Sequence, residues 1–143
     1  MGNMEKKLYT GIATVEGGRD GKAVSSDGVL NLDLKVPKEL GGAGGHGTNP
    51  EQLFAAGYAA CFDGALNVAI RMKKIKVEGT KVTANVTIGK DANDAFMLTA
   101  KLDVSVSGVD ADVAEQLVAD AHQICPYSRL TREGMAVELN VVD

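Results

Sequence analysis

TNPEQLFAAGYAACFDGALNVAIRMKK, residues 48–74, decides how the rest of the chain must fold. Thr48 or Asn49 can cap a helix here, Pro50 suits its first turn, and Thr48-x-x-Glu51 has capping-box form. Ala, Leu, Phe and Met carry the helix to about Met72, and Arg71, Lys73 and Lys74 complement the carboxyl end of its dipole. Its length is roughly 35 Å at ~1.5 Å per residue. Gly57, Ala60, Cys61 and Gly64 form a stripe of small side chains at helical spacing, which lets another helix come close. So long and polar-poor a body has to be covered by something.

On either side the pattern changes to period two. Leu30, Leu32, Leu34 and Val36 alternate with polar residues, as do Val82-Ala84-Val86-Ile88, Leu98 to Val106, and Val137-Leu139-Val141. Residues 8–15 and 22–26 form weaker strands around the turn Gly17-Gly18-Arg19-Asp20-Gly21, and Gly89 to Ala95 is a hairpin loop. A polar face on each strand points to antiparallel pairing. A second helix starts near Asp110, carries Val113, Ala114, Leu117, Val118, Ala121 and Ile124 on one face, and breaks at Cys125-Pro126. The segment YSRLTREG then makes a short helical turn before a last strand. The expected order is β-β-β-α-β-β-α-β, an α+β domain with helices against one face of an antiparallel or mixed sheet. With 143 residues and no linker or repeat, residues 1–143 are expected to form a single domain.

Composition narrows the partners. A net charge of -4, with no basic patch, offers nothing general to a phosphate backbone or an anionic membrane surface, so neither nucleic acid nor membrane is expected. The amino terminus MGNMEKKLYTG lacks a signal-peptide core, and no uncharged apolar run approaches the ~20 residues of a bilayer span, so a cytoplasmic protein is expected. There two thiols rest reduced, and a disulfide between them is transient and chemical.

Gly42-Ala43-Gly44-Gly45-His46-Gly47 satisfies G-x-G-x-x-G, but its context fails. Pro37 to Leu40 intervenes after the strand, Asp63 falls inside the helix, and no βαβ unit follows. His46 and His122 make no recognised ligand spacing with the cysteines, so no metal is expected.

Cys61 is the candidate nucleophile; its other reading is a small buried hydrophobe. About three turns into the helix it lies beyond useful reach of the dipole, and apolar surroundings raise a thiol's pKa, so activation requires a cation. Arg19, on its glycine-rich turn, can bridge a thiolate and a carboxylate through its fork of donors. Glu51, close to three turns before Cys61, can hold that guanidinium over the thiol; its other reading is the capping-box acid, and the two roles can coexist. Arg19 without such a partner is a solvated turn residue.

The runs GGRDGKAVSSDG (17–28), PKELGGAGG (37–45), TNPEQLFAAGY (48–58), Ala60-Cys61-Phe62 and Cys125-Pro126-Tyr127-Ser128 together resemble the organic hydroperoxide resistance proteins of the Ohr/OsmC family, over essentially the whole chain. The resemblance implies an OsmC-like fold in an intertwined homodimer, with sites at the subunit interface. It implies a thiol peroxidase that reduces organic hydroperoxides to alcohols. Cys61 is then peroxidatic, Cys125 resolves its sulfenic acid as a disulfide, and Arg19 with Glu51 activates the thiolate. No cofactor is bound; dihydrolipoamide on a lipoylated protein is the implied external reductant. Phe54, Tyr58 and Phe62 suit an alkyl hydroperoxide pocket and a core equally well, and Tyr127 either donates a hydrogen bond or packs. Two rivals remain: an OsmC-type peroxidase of broader range, and a non-catalytic binding module with structural cysteines.

Overall fold

The structure, a computed structural model, describes residues 2–142. Its chain divides into two compact units, Gly2–Phe54 and a second beginning at Ala55.

The first unit is built on three antiparallel strands in the order β1 (Ala13–Glu16), β2 (Lys22–Ser25) and β3 (Asn31–Asp33), with Thr14 opposite Val24 and Ala23 opposite Leu32. Between β1 and β2, residues Gly18–Asp20 make one tight helical turn. The glycines are required here. Gly17 and Gly18 have φ of 84° and 60°, and a Cβ on Gly21 would collide with the Glu16 carbonyl. The strand expected over residues 8–15 pairs only from Ala13, and Leu8 and Tyr9 stand exposed ahead of it. The strand from Leu30 to Val36 is likewise shorter, ending in a single parallel bridge from Leu34 to Thr48.

Helix α1 (Pro50–Lys73) starts in the first unit and continues through the second. Asn49 caps it, its Oδ1 accepting the Gln52 N–H at 2.8 Å, while Thr48 Oγ1 donates to the Gln52 side chain. The capping box read from Thr48 and Glu51 is therefore wrong: the cap lies one residue later, and the Glu51 carboxylate is engaged elsewhere. Tyr58, Phe62, Ala65, Leu66, Ala69 and Ile70 are buried, a stripe at i, i+4, i+7, i+8, i+11 and i+12. Burial of side chains the size of Phe62 and Leu66 stabilises by roughly 1.5–3 kcal/mol each. By length and apolar content α1 passes as a membrane span, a composition that it shares with core helices.

After α1 come β4 (Gly79–Lys90) and β5 (Phe96–Ser107), a long antiparallel hairpin in register from Gly79 opposite Ser107 to Lys90 opposite Phe96. Thr80 fastens it to α1, donating to Asp63 Oδ1 at 2.6 Å. Because β4 pairs with β5 and not with β3, no βαβ unit surrounds the glycine-rich loop. Asp110 caps α2 (Ala111–Ile124), which packs on β5 and on α3 (Pro126–Glu133). Leu117 and Ala121 of α2 are fully buried.

The final strand is a correction. Val137, Leu139 and Val141 alternate as expected, yet among the described residues no strand pairs with them, and Leu139 and Val141 are 90% and 98% exposed. A strand exists only by hydrogen bonding to a neighbour, and here none is present. The observed order is β-β-β-α-β-β-α-α.

Candidate active site

Cys61 sits half-buried on α1, one turn after Tyr58. Cys125 is wholly buried at the joint between α2 and α3. Its backbone does two jobs there: the N–H closes α2 on the Ala121 carbonyl at 2.8 Å, and the carbonyl opens α3 by accepting from Arg129 at 3.0 Å. Pro126 holds the preceding residue extended, and Cys125 has φ -66° and ψ 121°. Helix α3 therefore leaves at an angle that α2 could not continue. The sulfur is turned back onto its own first turn, where it accepts the Ser128 N–H at 3.4 Å.

This joint brings together two thiols 64 residues apart in sequence, Cys125 Sγ donating to Cys61 Sγ at 3.4 Å. Both are free. The separation is van der Waals contact, and a bond of ~2.05 Å would need only a small local shift.

The surroundings of Cys61 within this unit do not by themselves make it a nucleophile. Burial pushes its thiol up, and the neighbouring Cys125 adds to the rise. A hydrogen bond from the Tyr127 backbone N–H opposes them.

In the first unit a second pair has formed. Arg19 Nη1 and Nη2 donate to Glu51 Oε1 and Oε2 at 2.8 and 3.0 Å, a two-pronged bridge. The Arg19 hydrogen bonds hold the Glu51 carboxyl below the usual carboxylate range against an opposing effect of burial, and the same bonds raise the guanidinium. Glu51 is 14% exposed and Arg19 38%, so the carboxylate is the covered partner and the guanidinium keeps an open side. That is what a glycine-built turn achieves: it presents a cation whose orientation is set by a buried anion.

Other expected residues fall as follows. Tyr58 and Phe62 are buried in the stripe of α1, and Phe54 is half-buried. Tyr127 lies against α1 where Gly57 leaves room: a Cβ there would come within 3.0 Å of its hydroxyl, and its ring is 5.9 Å from that of Tyr58. The small-residue stripe thus admits α3 at Gly57, and Gly64 faces open space.

Two residues had not been singled out for this site. Ser128 is fully buried, its Oγ 2.8 Å from the Tyr58 hydroxyl and 2.9 Å from His122 Nδ1. His122 and Ser128 lie one helical turn before and after Cys125, the spacing at which side chains on consecutive turns meet. That spacing was the available signal.

Residues 42–140 match the family of OsmC-like proteins. Over 142 residues the chain is 49% identical to the organic hydroperoxide resistance protein of Xanthomonas axonopodis pv. citri, covering 99% of both. Crystal structures give the same picture. An organic hydroperoxide resistance protein from Elizabethkingia anophelis is 50% identical with a TM-score of 0.84, the match covering 90% of this chain and 91% of that one. Another, from Legionella pneumophila, is 46% identical with a TM-score of 0.85, covering 90% and 93%.

Proposed function

The chain belongs to the Ohr/OsmC family, and from that premise we propose that it is a cysteine-based peroxidase that reduces organic hydroperoxides to alcohols. The observation that carries this reading is the 3.4 Å contact between two free thiols, one half-buried and one buried.

Two steps follow from it. Cys61 thiolate attacks one peroxide oxygen, the O–O bond breaks, and the alkoxide takes a proton and leaves as alcohol, with Cys61 oxidised to sulfenic acid. Cys125 then attacks that sulfur. The S–S bond forms, the S–O bond breaks, and hydroxide leaves as water with the proton that Cys125 gives up. A dithiol of the dihydrolipoamide class, carried on a lipoylated protein, supplies the two electrons and two protons that restore the thiols.

Ionisation of Cys61 is assigned to Arg19, oriented by Glu51. The support is electrostatic. Burial opposes the thiolate, so a fixed cation is needed, and a guanidinium gripped on one side by a carboxylate still has donors for a second anion. The same charge stabilises the departing alkoxide.

A homodimer goes with this function. Exposed apolar residues stand toward both ends of the chain, Leu8 and Tyr9 and then the alternating Val137, Leu139 and Val141, of the kind a partner's strands cover. Sedimentation at micromolar concentration should give twice the chain mass; a single-chain mass rules the dimer out. Two free thiols suit a reducing compartment, and the protein is read as cytoplasmic.

The test is turnover with a dihydrolipoyl reductant. Cumene hydroperoxide should be consumed far more efficiently than hydrogen peroxide, and Cys61→Ser should consume neither. Equal efficiency would move the chain to a broader OsmC-type range, and full activity in folded Cys61→Ser would leave a binding module with structural cysteines.

A further inference from the structure

The structure assigns to Ser128 the role of positioning residue for the resolving sulfur of Cys125, held in place by Tyr58 and His122. Resting on the peroxidase reading for its function, this rests on geometry for its existence.

Ser128 is 0% exposed, so its hydroxyl has no water to turn to. A hydroxyl has one proton to donate and two lone pairs to accept with. Here it sits between two partners, the Tyr58 hydroxyl at 2.8 Å and His122 Nδ1 at 2.9 Å. In either direction Ser128 donates once and accepts once: the Tyr58 O–H donates to it and it donates to Nδ1, or Nδ1–H donates to it and it donates to the Tyr58 oxygen. A buried polar group with both bonds made resists displacement, because any movement breaks bonds that water cannot replace.

The three residues come from three helices. Tyr58 lies one turn before Cys61 on α1, His122 one turn before Cys125 on α2, and Ser128 on the first turn of α3. One hydroxyl therefore ties together the helix that carries Cys61, the helix that ends at Cys125, and the helix whose N–H groups face both sulfurs. Those N–H groups are the link to chemistry. The Ser128 N–H donates to Cys125 Sγ at 3.4 Å, and the N–H of Tyr127 bonds to the sulfur of Cys61. These are amides of the first turn, which have no partner within their own helix. A second tie holds the far end of α3, where Arg132 Nη1 donates to the His122 carbonyl at 2.6 Å.

Ser128 acts on the second step. When Cys125 attacks the sulfenic sulfur of Cys61, its own sulfur carries negative charge, which the Ser128 N–H stabilises and aims. Alanine at this position keeps the N–H but loses the hydroxyl that fixes where it points. The first step draws on Cys61, its cation and the Tyr127 N–H, and does not use the Ser128 N–H, so it depends less on that aim.

The experiment compares the full chain with Ser128→Ala, His122→Leu and His122→Asn, the last placing an amide group where Nδ1 stood. Two readouts are taken. One is the equilibrium between dithiol and disulfide in a glutathione redox buffer, which involves no peroxide. The other is the pair of rates after one equivalent of cumene hydroperoxide, trapping of Cys61 sulfenic acid by dimedone and loss of free thiol. In Ser128→Ala and His122→Leu the disulfide equilibrium should weaken and sulfenic acid should persist, with resolution slowed roughly 10- to 100-fold and its formation slowed far less. His122→Asn should recover most of the loss. His122 is half-buried, so its variants inform even if Ser128→Ala folds poorly. Wild-type resolution in both disruptive variants, or equal slowing of both steps, overturns the assignment. A wild-type chain that forms the disulfide in glutathione but ignores hydroperoxide would sink the peroxidase reading and leave the positioning role standing.

Discussion

The thiol pair and the arginine pair are built in opposite ways. Cys61 and Cys125 meet where helices pack, with one sulfur fully buried and both held by backbone N–H groups. Arg19 and Glu51 meet on a turn of glycines, with the guanidinium 38% exposed and both prongs spent on one carboxylate. Packing sets distance, whereas the ion pair sets charge. The difference teaches what each region can be asked to do. Contact at 3.4 Å places the two sulfurs within a small shift of bonding, but the same burial pushes the Cys61 thiol up. On the proposed mechanism, the charge of one pair makes up for the burial of the other.

Substitutions that divide the regions should therefore differ in kind. The largest effect belongs to the sulfurs. Cys125→Ser should react once with hydroperoxide and then stop, accumulating Cys61 as sulfenic or more highly oxidised acid in intact-mass spectra. Continued turnover there would mean that distance between the sulfurs is not what matters.

Next comes the charge. Arg19→Ala should fold normally and lose rate in the first step. On the proposed mechanism removing the cation disfavours the thiolate, so the pH dependence of peroxide attack should move upward and the neutral-pH rate should fall by roughly 10- to 1,000-fold. Stopped-flow measurement across pH 5–10 checks this. An unshifted profile would remove the guanidinium from the mechanism.

The smallest effect is on stability. The Glu51 carboxyl is depressed by Arg19, so it contributes stability that is present above its unfolded pKa of about 4.3 and is lost as pH falls through the lower folded value. With Arg19 more than a third exposed, screening limits the contribution to a few tenths up to about 1 kcal/mol. Urea unfolding of Glu51→Gln should show that deficit at pH 7 and a shrinking one as pH falls below the ordinary carboxylate range. A deficit independent of pH would show that Glu51 acts through packing.

The same contrast explains what was legible in the sequence. Helix α1 could be read because Asn49-Pro50 announces its start and its buried residues recur at helical spacing; α2 could be read from Asp110 and from Pro126 beyond its end. The cysteines and Arg19 were nameable as chemistry because few residue types supply a thiolate or a permanent cation. Glu51 was ambiguous. T-x-x-E fits a cap, and only the turn at Gly17–Gly21, thirty residues earlier, brings the guanidinium that claims its carboxylate. Val137 to Val141 reads as a strand but pairs with nothing among the described residues, since a period of two reports which face is apolar and not whether a neighbour exists. Ser128 and His122 were hardest to see. Their one-turn spacing about Cys125 is the single mark they leave, and it does not reveal that they join with Tyr58 across three different helices.

The most direct measurement is the intact mass of the reduced wild-type chain after one equivalent of cumene hydroperoxide, without added reductant. Closure of the bond between Cys61 and Cys125 should lower the mass by two hydrogens. A gain of one oxygen with both chain ends and all other residues unchanged would show that Cys125 does not capture the oxidised sulfur, and would contradict the account.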